Sequence, residues 1–183
     1  MLTLTLDTNC VSAAAAPQTS DSSAEVAAIL ELVDRAKAGR VKLQLTAAYD
    51  RDVERWRDAS GRARRADWLA GVPVVRPVGG VFRLDVSVLG GPDVLASDAE
   101  VALDERLRAV LAPTKSARAI QGHEEAPSLA SKAFSDIDHL IAHVRSGADA
   151  FVTLDMATIL CRRERLADDG IRVCTPSEAL ALL

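Results

Sequence analysis

A chain of 183 residues can bury a core of its own and is read as one domain spanning residues 1–183. Apolar residues make up 49%, aromatics 3% and charged residues 26%, which points to a soluble globular protein packed on Ala, Leu and Val. The formal net charge of −4 argues against a protein that coats nucleic acid non-specifically, but it leaves room for a basic patch beside an acidic site. Cys10, Cys161 and Cys174 form no Cys-x-x-Cys pair and no zinc-ligand spacing, as expected of reduced, mostly buried thiols in a cytoplasmic protein. No basic region precedes Ala13–Ala16 and Asp7 interrupts the apolar stretch, so no signal peptide is read. No apolar run nears the roughly 18 residues of a membrane helix, so no membrane partner is expected.

Residues 2–6 read as a strand. Ser22-Ser23-Ala24-Glu25 is a capping-box pattern, with Ile29, Leu30 and Val33 at helical spacing up to Gly39. Val41–Leu45 is a second strand, and Tyr49, Val53 and Trp56 mark a helix beginning near Thr46. A further helix runs through Trp68 after Gly61, and Pro73–Val78 is a third strand. Gly79-Gly80 and Gly90-Gly91 bracket a hairpin or extended excursion over Val81–Leu89. Glu100–Leu111 is helical, and the polar stretch Pro113–Ser131 reads as a loop. Ser135 caps a helix carrying Ile137, Leu140, Ile141 and Val144, closed by Gly147. Ala150–Leu154 and Ile171–Cys174 are strands, and Ser177–Leu183 is a short terminal helix after Pro176. Strands alternating with helices imply an α/β fold with a mostly parallel sheet covered on both faces.

Two of these strands stop on a carboxylate. Asp7 ends the first, followed by Thr8 and Asn9, whose side chains can orient it; Asp155 ends a later one, with Thr153 two residues earlier on the same face. In a parallel sheet such residues converge on the crevice at the carboxyl ends of the strands. Asp50 opens the helix after the second strand on that same edge. Asp136, expected in the first turn of its helix, is the preferred fourth acid, with Asp138 in reserve. Carboxylates gathered in this way repel one another, and Mg²⁺ or Mn²⁺ relieves that cost. His139 and His143 share a flank with Asp136, but no third soft ligand for zinc is evident, and His139 reads as a supporting hydrogen-bond donor or a packed core residue.

At these residues the chain resembles the PIN-domain family of metal-dependent ribonucleases. The matching pieces are Leu6-Asp7-Thr8-Asn9, Asp136-x-x-His139, the run from Gly147 to Asp155 with its Val152-Thr153-x-Asp155, and the closing Ile171-x-Val173-x-Thr175-Pro176-x-Glu178. The likeness covers roughly residues 1–55 and 132–183; residues 79–131 are longer than a compact member needs and read as an insertion. The resemblance implies a Rossmann-like three-layer α/β/α sandwich. It also implies hydrolysis of RNA phosphodiesters by metal-activated water, leaving a 5′-phosphate and a 3′-hydroxyl. Asp7, Asp136 and Asp155 would bind Mg²⁺ or Mn²⁺, with Asn9 and Thr153 in support. The family carries an acid in the helix after its second strand; Asp50 fits by distance from Thr46, with Asp52 and Glu54 close by. Small members resemble the toxins of bacterial VapBC-type pairs, which implies a possible antitoxin protein and a homodimer as partners.

For an RNA substrate the basic residues matter. Arg51, Arg55, Arg57, Arg62, Arg64 and Arg65 lie in one short span, with Lys115, Arg118 and Lys132 further on, and Arg51, Arg55 and Lys132 are the expected phosphate contacts. The rival expectation is a nucleic-acid or protein interaction module that keeps the fold without chemistry. A phosphatase is disfavoured because Asp7-Thr8-Asn9 lacks a second Asp, and no glycine-rich phosphate loop is present.

Overall fold

The computed structural model describes residues 1–16, 24–54, 58–82, 87, 93–111 and 127–183. In chain order these form β1 (Thr3–Leu6), α1 (Thr8–Ala15), α2 (Ala24–Lys37), β2 (Lys42–Thr46), α3 (Ala48–Glu54), α4 (Ala59–Ala70) and β3 (Val74–Val78). There follow α5 (Asp98–Leu111), α6 (Pro127–Ser146), β4 (Ala150–Val152), a 3₁₀ turn (Leu160–Arg162), α7 (Arg163–Asp168), β5 (Val173–Cys174) and α8 (Pro176–Leu180). Among the described residues the strands make one five-stranded sheet of order β3-β2-β1-β4-β5, and every pairing is parallel.

Period-2 alternation decides what each face of the sheet meets. Leu4, Leu6, Leu43, Leu45, Ala150 and Val152 pack into one core with Val11 of α1, Ile29 and Leu32 of α2, Leu69 of α4 and Ala179 of α8. Phe151 and Val173 lie in a second core with Leu103 and Leu107 of α5, Ile137, Leu140 and Ile141 of α6, and Leu166 of α7. The sheet is thus sandwiched between two helical layers, as the α/β/α expectation required. The second face is unusual in carrying the buried polar residues Thr5, Gln44 and Thr46, which face α6.

Several expectations are corrected. α6 begins at Pro127, a favoured first helical residue, so Pro127–Ser131 is helix rather than loop. Ser135 and Asp136 are therefore interior to α6, and neither the capping role of Ser135 nor the first-turn dipole argument for Asp136 holds. The 3₁₀ turn and α7 were not anticipated, because residues 156–170 are short of apolar anchors beyond Ile159, Leu160 and Leu166. Val81 and Val94 form an isolated parallel bridge; residues 83–86 and 88–89 of the expected excursion, with Gly90 and Gly91, lie outside the described residues. Ser22 and Ser23 also lie outside the described residues, and Glu25 accepts instead from the Ser177 N–H of α8 at 2.9 Å. Among the described residues no helix is long and apolar enough to cross a membrane.

Gly147 follows α6 at φ +64°, and no atom lies within 4 Å of the place a Cβ would take. The cost of a side chain there is backbone strain alone. Gly147→Ala is expected to lower stability by about 1 kcal/mol, read as a drop in the urea midpoint at unchanged slope.

Candidate active site

The parallel register of β1 on β4 pairs Leu6 with Val152, which sets Asp7 beside Thr153 at the carboxyl edge of the sheet. The Asp7 backbone N–H donates to Val152 O at 2.9 Å, and the Thr153 hydroxyl donates to Asp7 Oδ2 at 2.5 Å. Asn9 Nδ2 donates to the same oxygen at 2.7 Å, while its Oδ1 accepts from Leu154 N–H at 3.0 Å. Asn9 and Thr153 therefore hold Asp7 from two elements almost a whole chain apart. The Thr153 hydroxyl oxygen also accepts from Asp155 N–H at 3.0 Å, which ties the second strand-ending acid to the same cluster. Asp155 Oδ1 caps the turn that follows, accepting from Ala157 and Thr158 N–H at 3.0 and 2.7 Å.

The acid contributed by the helix after β2 is Asp52. It accepts from the Thr8 hydroxyl at 2.9 Å and the Ser135 hydroxyl, and lies 3.1 Å from His139 Nε2. Asp50, the residue favoured by its distance from Thr46, is exposed. Helical phase explains the exchange. Ala48 and Tyr49 are buried, and at about 100° per residue Asp52 falls about 40° from Ala48, whereas Asp50 falls about 160° away.

His139 is buried, with Nδ1 at 2.6 Å from Thr46 Oγ1 and Nε2 facing Asp52 and Thr8. Burial opposes its protonation, yet the hydrogen bond to Asp52 and the charges of Asp7, Asp52 and Asp136 prevail and raise its pKa. Burial dominates Asp7 and raises its pKa, against the pull of His139 and the Thr153 hydrogen bond, with the charge of Asp52 adding to the rise. At Asp52 burial is outweighed by His139, Ser135 and Thr8, and the carboxyl is held below its usual range. Asp7, Asp52, Asp136 and His139 thus share one electrostatic field. Asp7 and Asp155 meet through the Thr153 hydroxyl, and Asp136 reaches the cluster through its charge on His139.

His143 belongs to a separate buried network, with Nδ1 2.8 Å from Thr5 Oγ1. Arg51, expected to contact phosphate, is instead inserted between Asp93 and Asp138 at 2.7 Å from each. Asp138, the reserve acid, is spent on that pair and not on the edge. Arg55 and the Lys132 side chain lie outside the described residues. Sequence reasoning missed Ser135 as a partner of Asp52 and Thr46 as a partner of His139, and it aimed Thr8 at Asp7 where the hydroxyl meets Asp52. Their signal was weak, since an isolated hydroxyl residue in a helix or strand is common and only the fold brings these together.

Among the described residues no three His, Cys, Asp or Glu side chains form a ready-made metal cage. In donor chemistry the edge nevertheless matches a hard cation: its anionic groups are carboxylates, and its cysteines lie elsewhere, Cys10 and Cys174 in the core and Cys161 on the surface.

No protein-family model matches the chain, and no curated protein matches it. Among solved structures it is similar to VapBC2 from Rickettsia felis, crystallised bound to a DNA fragment from its promoter. The identity is 11%, the alignment covers 95% of this chain and 98% of that one, and the TM-score is 0.47.

Proposed function

We propose that the chain is a metal-dependent endoribonuclease of PIN-like design. The observation that carries this reading is the junction of β1 and β4, where Asp7 is buried yet held as an acceptor by Asn9 and Thr153, with Asp155 tied to the same threonine. A buried carboxylate with a raised pKa, oriented by neutral donors at the end of a central strand, is poised to meet a cation. Asp7, Asp136 and Asp155 would hold Mg²⁺ or Mn²⁺. Such an ion, when bound, supplies an activated water and neutralises charge building on the phosphoryl oxygens.

The remaining roles belong to the chain itself. Asn9 and Thr153 fix the direction of Asp7, and the Asp155 turn caps keep its carboxylate at the edge. Asp52 takes the place of Asp50 as the fourth acid, and His139, with Thr8 and Ser135, keeps it ionised. Cleavage of a phosphodiester at this edge leaves a 5′-phosphate and a 3′-hydroxyl. An antitoxin partner, a homodimer and a cytoplasmic setting belong to the same reading.

A second reading, an interaction module without chemistry, is favoured by one observation: His139 Nε2 already lies 3.1 Å from Asp52 Oδ2, and the surrounding acids raise the imidazole pKa against its burial. One experiment separates the two. Wild-type protein and Asp155→Asn are incubated with mixed RNAs in Mg²⁺, Mn²⁺ or chelator, and their melting temperatures are followed over the same metal range. Asn preserves the Oδ1 turn cap and removes the charge. The nuclease reading expects cleavage and a metal-dependent rise in melting temperature in wild type, both lost in the variant. A flat melting temperature with intact RNA in every condition selects the module.

A further inference from the structure

Arg51 and Asp52 are consecutive on α3, and Asp138 and His139 are consecutive on α6. Two bridges of opposite polarity therefore cross the same gap side by side: Arg51 Nη2 to Asp138 at 2.7 Å, and Asp52 to His139 at 3.1 Å. The Arg51 fork has a second arm, Nη1 to Asp93 Oδ2 at 2.7 Å, which reaches the segment beyond β3. The three side chains are almost sealed from water, with 15% exposure at Arg51, 4% at Asp93 and 2% at Asp138. A guanidinium so enclosed is not available to track a phosphate backbone.

The outer arm is itself built in. Asp93 Oδ1 accepts from Gly80 N–H at 2.8 Å, and Asp93 Oδ2 accepts from the Ser87 hydroxyl at 2.7 Å. Gly80 lies so close that a Cβ there would sit 3.3 Å from Asp93 Oδ1 and 3.8 Å from the Asp138 carbonyl. Arg145 of α6 secures the same turn, donating to Gly80 O at 2.5 Å and to Glu100 at 2.6 Å. The segment after β3, longer than the α/β frame needs, is thus attached to both helices that carry the candidate site.

We infer that Arg51, clamped between Asp93 and Asp138, is a positioning residue that fixes α3 on α6 and so delivers Asp52 to Thr8, Ser135 and His139. A planar fork can address two carboxylates in fixed directions, which a lysine ammonium cannot reproduce. Loosening it lets α3 shift on α6, and the Asp52 contacts to Thr8 and His139, at 2.9 and 3.1 Å, are lost once the partners part beyond about 3.5 Å.

The test uses the full chain with Arg51→Lys and Asp93→Asn, beside Arg106→Met as a control that removes a surface pair to Asp169. The first readout needs neither metal nor RNA: the ¹⁵N shifts of the His139 ring at one fixed pH, with Asp52→Asn marking the shift when the carboxylate is absent. Arg51→Lys is expected to move the His139 signal toward that of Asp52→Asn, and Arg106→Met to leave it in place. An unmoved signal in folded Arg51→Lys overturns the inference. If Arg51→Lys does not fold, Asp93→Asn, which keeps the Asp138 arm, is judged by the same criterion.

The second readout rests on the nuclease reading. Arg51→Lys is expected to lower kcat by about 10²-fold with KM for RNA within about twofold. A raised KM with unchanged kcat and a weaker salt dependence assigns Arg51 to phosphate contact and overturns the positioning role. Wild type that cleaves no RNA with either metal refutes the nuclease reading, and the His139 signal then decides the positioning role alone.

Discussion

Asp7→Asn is expected to reduce metal-dependent RNA cleavage by about 10³-fold, the order lost when a group that stabilises charge is removed from a preorganised site. The melting temperature at pH 7 without metal is expected to stay level or rise. Asp7 is 6% exposed and its pKa is raised by burial, so keeping it ionised costs the fold something that a neutral amide does not. The sign follows from linkage: the native state binds this proton more tightly than the unfolded chain does. The contribution of Asp7 is therefore lost as pH climbs through its native pKa, and the variant lacks that loss. Asn can still accept from Thr153 and Asn9 through its amide oxygen, so the cluster has no reason to collapse. Cleavage by the variant at the wild-type rate would remove Asp7 from the mechanism altogether.

Acid is expected to destabilise the protein through His143 by about 3 kcal/mol. Burial between α6 and the sheet lowers the pKa of this imidazole to about 4 from 6.5, opposed only in part by Asp149. Its Nδ1 lies 2.8 Å from Thr5 Oγ1, and its ring meets Phe151 edge-on at 5.7 Å between centroids. The unfolded chain takes up this proton below about pH 6.5, and the native state resists until about pH 4. The contribution is thus complete above 6.5 and is lost as pH falls through that window. Urea unfolding at stepped pH is expected to show this slope in wild type and a shallower one in His143→Gln, whose amide can still reach Thr5. Parallel slopes in the two proteins would reject the assignment.

The candidate site was legible where local pattern and fold agree. Asp7 directly follows β1 and Asp155 lies three residues beyond β4, and a parallel sheet has one carboxyl edge to which such residues can go. Asp52 was within reach but passed over, because distance along the chain from Thr46 was weighed and the helical phase set by buried Ala48 and Tyr49 was not. Ser135 was misread because the helix was expected to begin at it. The true start at Pro127 turns its hydroxyl from a cap into a donor to Asp52. Arg51 was the plainest misreading. A basic residue in an arginine-rich span has the composition of a phosphate contact, and its burial depends on Asp93 and Asp138, distant in sequence.

What the amino-acid order determined unaided is the run of five strands, the parallel α/β class and the placement of Asp7 directly after β1. These follow from periodicity and strand termini, which act over a few residues. What only the tertiary structure decided is how the other charges are compensated: Asp52 by His139, Ser135 and Thr8, and Arg51 by two carboxylates. Those pairings join residues from 42 to 87 positions apart. Which charge meets which is set by how α3 and α6 seat on the sheet, and no local pattern encodes that seating.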